Sequence, residues 1–312
     1  MDEQKVKSKS ELIASLLVIL AGICWGIIGV FTRSMSNHGL SSIQITASRC
    51  FVVAICLIIY LTVKDRKKLV IDIKDIWYFA GTGIISIIFF NTFYFITINK
   101  TTLSLASILL YTAPSFVMIM STILFKEKVT KQKLIALCLA FLGCVFTTGL
   151  LSNNKINVSL MGIITGVASG FFYALYSIFG SIALKKYHPM TVTVYTFIVA
   201  SIAIIPFCNI GQLINLSLYN TNLLLNILLI GIISTLIPFL AYTKGLERLE
   251  AGKAAVVAFV EPMVATFTGI VVFKEVLTYK NVIGIILIFI AIVLLNIKIN
   301  KNNQTTYGLD LE

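Results

Sequence analysis

The sequence predicts an all-α membrane protein: ten transmembrane helices arranged as two inverted five-helix repeats, N-in and C-in. Three observations carry this prediction, namely hydropathy, an internal repeat and the sidedness of charge. Of the 312 residues 58 % are hydrophobic and only 12 % charged, against roughly 25 % charged in soluble domains. The mean hydropathy is +0.97.

The repeat is read from punctuation. Pro114 precedes Phe125-Lys126-Glu127 and Thr130, and the same signs return 148 residues later as Pro262, Phe273-Lys274-Glu275 and Thr278. That shift also lays Gly83-Ile84-Ile85-Ser86 on Gly231-Ile232-Ile233-Ser234, Tyr94 on Tyr242 and Ala106 on Ala254, giving eleven identities between 83 and 130. A shift of 144 lays Gly22 and Gly26 on Gly166 and Gly170, which implies a short length change near the front of each half. Internal repetition in so apolar a chain is the mark of a transporter.

A hydrocarbon core needs about 20 apolar residues, and ten stretches are long enough. The first, 12–32, follows Lys5, Lys7 and Lys9; it is too long for a signal peptide and lacks a small-x-small cleavage site, so it reads as a retained helix. Gly22 and Gly26 give it a smooth face beside Trp25. Span two, 43–63, carries Arg49. Span three, 76–98, opens on the interfacial pair Trp77 and Tyr78 and holds Asn91 and Tyr94. Span four, 103–124, contains Tyr111 and Pro114, and span five is 133–151. In the second half, span six (158–183) has the glycine series 162, 166 and 170, with Tyr173 and Tyr176, and span seven is 190–210. Span eight (223–243) holds Ser234, Thr235 and Pro238, span nine (254–273) holds Glu261-Pro262, and span ten is 280–297. Residues 12–151 and 158–297 thus form the two repeats, with cytoplasmic tails at 1–11 and 298–312. Connecting loops of no more than about a dozen residues leave no room for a soluble domain.

Charge sets orientation. With the N-terminus inside, nineteen of the 25 Lys and Arg fall on inner segments. Five fall outside (Arg33, Lys100, Lys155, Lys274 and Lys280), and Arg49 lies within a span. The positive-inside rule then gives N-in, C-in and ten spans. Because five is odd, the second repeat enters from the opposite side. The net charge of +12 is accounted for by topology, with anionic lipid as counterpart and no call for nucleic acid.

Catalysis finds no support. His38 and His188 sit beside loops, no Ser or Cys stands with a His and an acid, and no Cys/His spacing suits a metal or other cofactor. There is no Gly-x-x-x-x-Gly-Lys-Ser/Thr run to hold ATP. The six cysteines all lie within spans and read as free thiols.

The stretches Ala106–Pro114 through Phe125-Lys126-Glu127, and Val260-Glu261-Pro262 through Phe273-Lys274-Glu275, repeated in this topology, resemble the EamA-type transporters of the drug/metabolite transporter superfamily. The resemblance covers essentially the whole chain. It implies a secondary transporter, commonly an exporter of metabolites or amino acids, whose central cavity is built mainly by the first, third and fourth helices of each repeat. It leaves the substrate open.

Away from the span ends only Arg49 and Glu261 bear a formal charge. An ionisable group in hydrocarbon costs about 2.5–3.5 kcal/mol on insertion scales and is a functional candidate by default. Glu261 is expected to bind substrate or a coupling proton; the alternative is a packing role, since Glu-Pro here resembles the family pattern. Arg49, near the outer side, is expected to snorkel or anchor a helix, with contact to a substrate carboxylate as the second reading. The depths of the two argue against their touching one molecule. Pro114 and Pro262 each free a carbonyl one turn back, near Leu110 and Ala258, and read as gating hinges with Pro238 as a further one. Trp25, Tyr94, Tyr111, Tyr173 and Tyr176 could enclose a substrate, with Asn91, Ser234 and Thr235 as hydrogen-bonding groups; core packing is the competing reading. The expected function is alternating-access export of a small polar metabolite, plausibly an amino acid, by a chain for which a monomer suffices. Two alternatives stand: a proton-coupled exporter of hydrophobic or quaternary cations, and a non-transporting membrane sensor or scaffold.

Overall fold

The computed structural model describes residues 2–148 and 159–297. The loop carrying Lys155, the predicted end of span five (149–151), Val158 and the tail 298–312 lie outside them. Among the described residues, nine helical stretches are long and apolar enough to cross a membrane. Leu16, Ile59, Ile123 and Phe289 are exposed on their outer faces, a surface that suits lipid and not water.

The first span is α1 (Asp2–Gly26) and α2 (Ile28–Asn37). Helix begins inside the predicted N-terminal tail because neither Gly nor Pro interrupts the chain before Gly22. α3 (Ser42–Lys64) starts from a capping box between Ser41 and Gln44. The third span joins α4 (Ile76–Ala80), a π-helical segment Gly81–Ile88 and α5 (Phe89–Lys100). α6 (Leu103–Leu110) and α7 (Ala113–Phe125) make the fourth, and α8 (Lys131–Thr147) follows with 17 residues. The second half continues with α9 (Leu160–Ala183) and α10 (Pro189–Ile204). The next element, α11 (Ile210–Tyr219), was not expected from the sequence. It replaces the connecting loop because Asn209 caps it, accepting from Gln212 N–H at 3.1 Å, and Leu213 buries one face. Then come α12 (Thr221–Gly231), a π-helical segment Ile232–Leu236, α13 (Ile237–Leu246), α14 (Ala251–Val257), α15 (Val260–Phe273) and α16 (Tyr279–Asn296).

The repeated residues produce repeated local structure. Both π-helical segments include residues of the duplicated Gly-Ile-Ile-Ser. Lys126 (φ 56°) and Lys274 (φ 57°) are the non-glycine residues with positive φ among those described, a conformation costing an L-residue about 1–2 kcal/mol. Each lets the following glutamate N–H reach back into its helix, Glu127 to Ser121 O at 3.3 Å and Glu275 to Gly269 O at 3.2 Å.

Pro114 and Pro262 each stand beside a helix break, and the break precedes the proline. The fourth span is interrupted at Tyr111 and Thr112, the corresponding one at Ala258 and Phe259, leaving Pro114 and Pro262 in the first turn of α7 and α15. Proline supplies no N–H, so helical pairing to Leu110 O and Ala258 O is lost. Both carbonyls lie against glycines of the other half: a Cβ on Gly170 would sit 3.2 Å from Leu110 O, and one on Gly22 3.2 Å from Ala258 O. The first helix of each half therefore seats its smooth face on the broken helix of the other.

These contacts correct the shift of 144. Gly22 corresponds to Gly170, again 148 apart, and Val52 and Ala200, which meet Gly231 and Gly83, are separated by the same interval. Glycines spaced by four allow either alignment, and only packing decides between them.

Candidate functional site

Between the two broken helices lies a cavity of about 180 Å³. Trp25 enters from α1, Arg49 from α3, Asn91 and Tyr94 from α5, Tyr173 from α9 and Glu261 from α15, while Tyr111 comes from the α6–α7 break. Phe90, Phe95 and Phe239, which the sequence reading did not single out, complete its aromatic wall. Repeat partners meet here: Tyr111 and Phe259, 148 residues apart, have ring centroids 5.8 Å apart.

Arg49 matches the expected helix anchor and not the expected snorkelling. It is half-buried, and its Nε donates to Thr235 Oγ1 at 2.9 Å. The side chain is directed into the bundle, not toward the membrane surface, and it lines the same cavity as Glu261. Both charges therefore border one space, although different depths were expected to keep them from touching one molecule. Hydropathy locates a residue along a span but not around it, so the direction of Arg49 was not readable from sequence.

Thr235 holds this arginine because of the π-helical segment. Its hydroxyl bonds to Ile230 O, five residues back, at 2.9 Å, and its oxygen accepts from Arg49. π-bulges recur at functional sites because they turn a side chain out of register. Ser234 is fully buried and its Oγ lacks a partner among the described residues, as does that of its counterpart Ser86. Thr235 borders a recess of about 10 Å³ beside Arg49, whereas Ser234 borders neither space. Pro238 stands in the first turn of α13, directly after that segment.

The aromatic groups divide. Tyr94 OH and Ser107 Oγ share a hydrogen bond of 3.1 Å at the cavity. Asn91 donates to Ile87 O at 2.7 Å, keeping its carbonyl oxygen available. Trp25 packs on Phe239 and Tyr242, with centroids 5.4 and 5.5 Å away. Tyr176 does not line this cavity. It is buried beside a recess of about 40 Å³, with its hydroxyl 2.8 Å from Thr243 Oγ1. Trp25, Tyr173 and Pro114 also border that recess, and Pro262 borders a further space, of about 270 Å³, near Glu275.

Among the described residues no group of three His, Cys, Asp or Glu side chains could hold a metal. The arrangement offers an acid, a base, hydroxyls and ring faces around a small space. That suits reversible binding of a small polar molecule with apolar parts.

Comparison with known proteins agrees with the fold and sharpens it. A family model described as the EamA-like transporter family matches twice, over residues 12–149 and 160–297. An uncharacterized transporter of Archaeoglobus fulgidus is 27 % identical over 284 residues, covering 91 % of this chain and 97 % of that protein. The uncharacterized transporter YxxF of Bacillus subtilis is 24 % identical, with 99 % and 98 % covered. The uncharacterized inner membrane transporter YicL of Salmonella typhimurium is 20 % identical, with 90 % and 94 % covered. A solved structure described as the crystal structure of a protein superposes with a TM-score of 0.75 at 17 % identity, covering 90 % of this chain and 95 % of that one. With both halves matched and the spans in place, this multi-pass membrane protein belongs to the EamA-like transporter family.

Proposed function

We propose that the protein is a secondary transporter that exports a small zwitterion with an apolar side chain, an amino acid being the simplest case, by alternating access. One observation carries the reading: Arg49 and Glu261 border one cavity walled by aromatic rings. A carboxylate would pair with the guanidinium and an ammonium with the glutamate, while Trp25, Phe90 and Phe239 cover the apolar part. The cavity and the neighbouring 270 Å³ space share Ser107 and Tyr111. Together they reach the roughly 300–1,000 Å³ of small-molecule sites.

Charge distribution supports ten spans with both termini cytoplasmic, α8 being the fifth. The matched packing between halves supports two inverted repeats, each contributing half of the site. A proton on Glu261 is the candidate coupling ion. The aromatic wall beside an acid also favours the second reading, export of hydrophobic or quaternary cations.

A ligand-stabilisation screen on the purified protein separates the two. Zwitterionic amino acids should raise the melting temperature, and a ligand at 100 times its dissociation constant adds about 2.7 kcal/mol. Stabilisation by quaternary amines alone would replace the first reading with the second.

A further inference from the structure

We infer that Glu127 and Glu275 are alternating gate residues, each closing one mouth of the central cavity by holding the first backbone N–H groups of the facing half-helix. The inference rests on the transport reading and on the orientation given above.

The cytoplasmic mouth is shut. Glu127 Oε1 accepts from Ala251 N–H at 2.8 Å, and Oε2 accepts from Gly252 N–H at 3.2 Å. Helices leave these first donors without internal partners, and a carboxylate satisfies them with charge-assisted bonds. Lys133 reinforces the closure through its ion pair with Glu250. Ala251 is buried at this mouth, and deeper along the same seam Val117, Met118 and Ala255 are buried too.

The interval of 148 residues places Glu275 opposite Leu103 and Ser104, the counterparts of Ala251 and Gly252. That closure is not made here. The Glu275 carboxylate has no hydrogen bond or ion pair among the described residues, and the side chain is exposed, with Cδ 3.1 Å from where a Cβ on Gly269 would lie. The 270 Å³ space lies between Glu275 and the start of α6 and shares Ser107 and Tyr111 with the central cavity. One sequence unit therefore stands in two arrangements: bound carboxylate with closed mouth, free carboxylate with open mouth.

Elsewhere the halves are tied at both ends, so this pair differs from its surroundings. Tyr187 bonds Asp75 and Lys186 pairs with Asp75 at 2.5 Å on the cytoplasmic side. Gln44 reaches Asn209 O at 3.2 Å and Gln212 Oε1 at 3.1 Å on the other. Movement is thus directed to the α6–α7 and α14–α15 half-helices, whose breaks lie at the cavity. Swinging α6 toward α15 brings Leu103 and Ser104 to Glu275, while the matching swing frees Ala251 and Gly252 from Glu127. The resulting inward-open state mirrors the present outward-open one.

Cysteine reporters test this in the full-length protein in membranes without substrate, with labelling by an impermeant maleimide resolved peptide by peptide. Ser104→Cys should label readily from outside and Ala255→Cys poorly from the cytoplasmic face. Adding Glu127→Gln should raise labelling at position 255 about tenfold, the shift expected from one weakened charged hydrogen bond, and lower it at 104. Glu127→Asp, which shortens the reach, should do the same and serves if the Gln variant does not fold. Glu275→Gln should leave position 104 open and slow transport without weakening ligand binding. Unchanged labelling in folded Glu127 variants, or unchanged turnover in Glu275→Gln, overturns the gate. Shifted labelling in a protein that binds and moves no ligand would instead count against the transport reading.

Discussion

Glu261 sits where an asymmetry between the repeats becomes chemistry. Its counterpart is Ala113, so the scaffold does not demand a carboxylate there, and Arg49 across the cavity supplies the opposite charge. Glu261→Gln keeps size and hydrogen bonding while removing the charge; it should fold normally yet lose ammonium binding, or the pH dependence of transport between about pH 5.5 and 8. Normal transport by the folded variant across that range would leave Glu261 a packing residue. A second residue outside the spans has a different role. His188 Nδ1 accepts from Met190 N–H at 3.2 Å, capping α10. Burial lowers its pKa, helped by Lys68 and Lys244 and opposed by Glu247 and Asp65. The unfolded chain then binds the proton first, so its stabilisation is complete above about pH 6.5 and falls as pH drops below that value. His188→Asn, a good cap, should flatten this part of the melting-temperature profile, and a slope equal to that of the natural protein would refute the assignment.

At the scale of elements, the glycine faces and proline breaks work as one device. A Cβ on Gly26 would lie 2.6 Å from Val264 Cβ and 2.8 Å from Glu261 O, so the helix bearing Trp25 could not keep its place against α15. Gly26→Ala should cost about 1–3 kcal/mol by overpacking and lower the melting temperature. Pro114→Ala restores an N–H toward Leu110 O, straightens α6 onto α7, and should slow turnover more than it weakens binding. Equal turnover in Pro114→Ala and Pro262→Ala would reduce both prolines to packing. Much of this was legible because Pro and Gly leave marks that apolar neighbours cannot obscure. The π-helical turns were not, since runs such as Gly83-Ile84-Ile85-Ser86 are apolar at either helical period. Nor was the cap made by Glu127, whose partners lie 124 and 125 residues away. Of the residues singled out from the sequence, Trp25, Arg49, Asn91, Tyr94, Tyr111, Tyr173 and Glu261 line the cavity, whereas Tyr176, Ser234 and Thr235 do not.

For the whole molecule, orientation decides what every other feature means, because an outward-open cavity under one topology is inward-open under the other. The proposed orientation, argued from the charge count, puts the α3–α4, α7–α8, α9–α10 and α13–α14 connections in the cytoplasm, and α11 with the α2–α3 connection outside. The two sides also differ structurally. Lys68, Lys133 and Lys186 form ion pairs on the first, whereas Gln44 and Asn281 make neutral hydrogen bonds on the second, the latter donating to Thr147 O at 3.1 Å. Tyr219 at the end of α11 is 91 % exposed, and Lys67 between α3 and α4 is exposed as well. In intact cells Tyr219→Cys should react with an impermeant maleimide and Lys67→Cys only after lysis. The reverse pattern would invert the protein and turn the proposed exporter's open mouth toward the cytoplasm. Labelling of both in intact cells would break the five-plus-five topology itself, since spans three to seven lie between these positions and an odd number of crossings must put them on opposite faces.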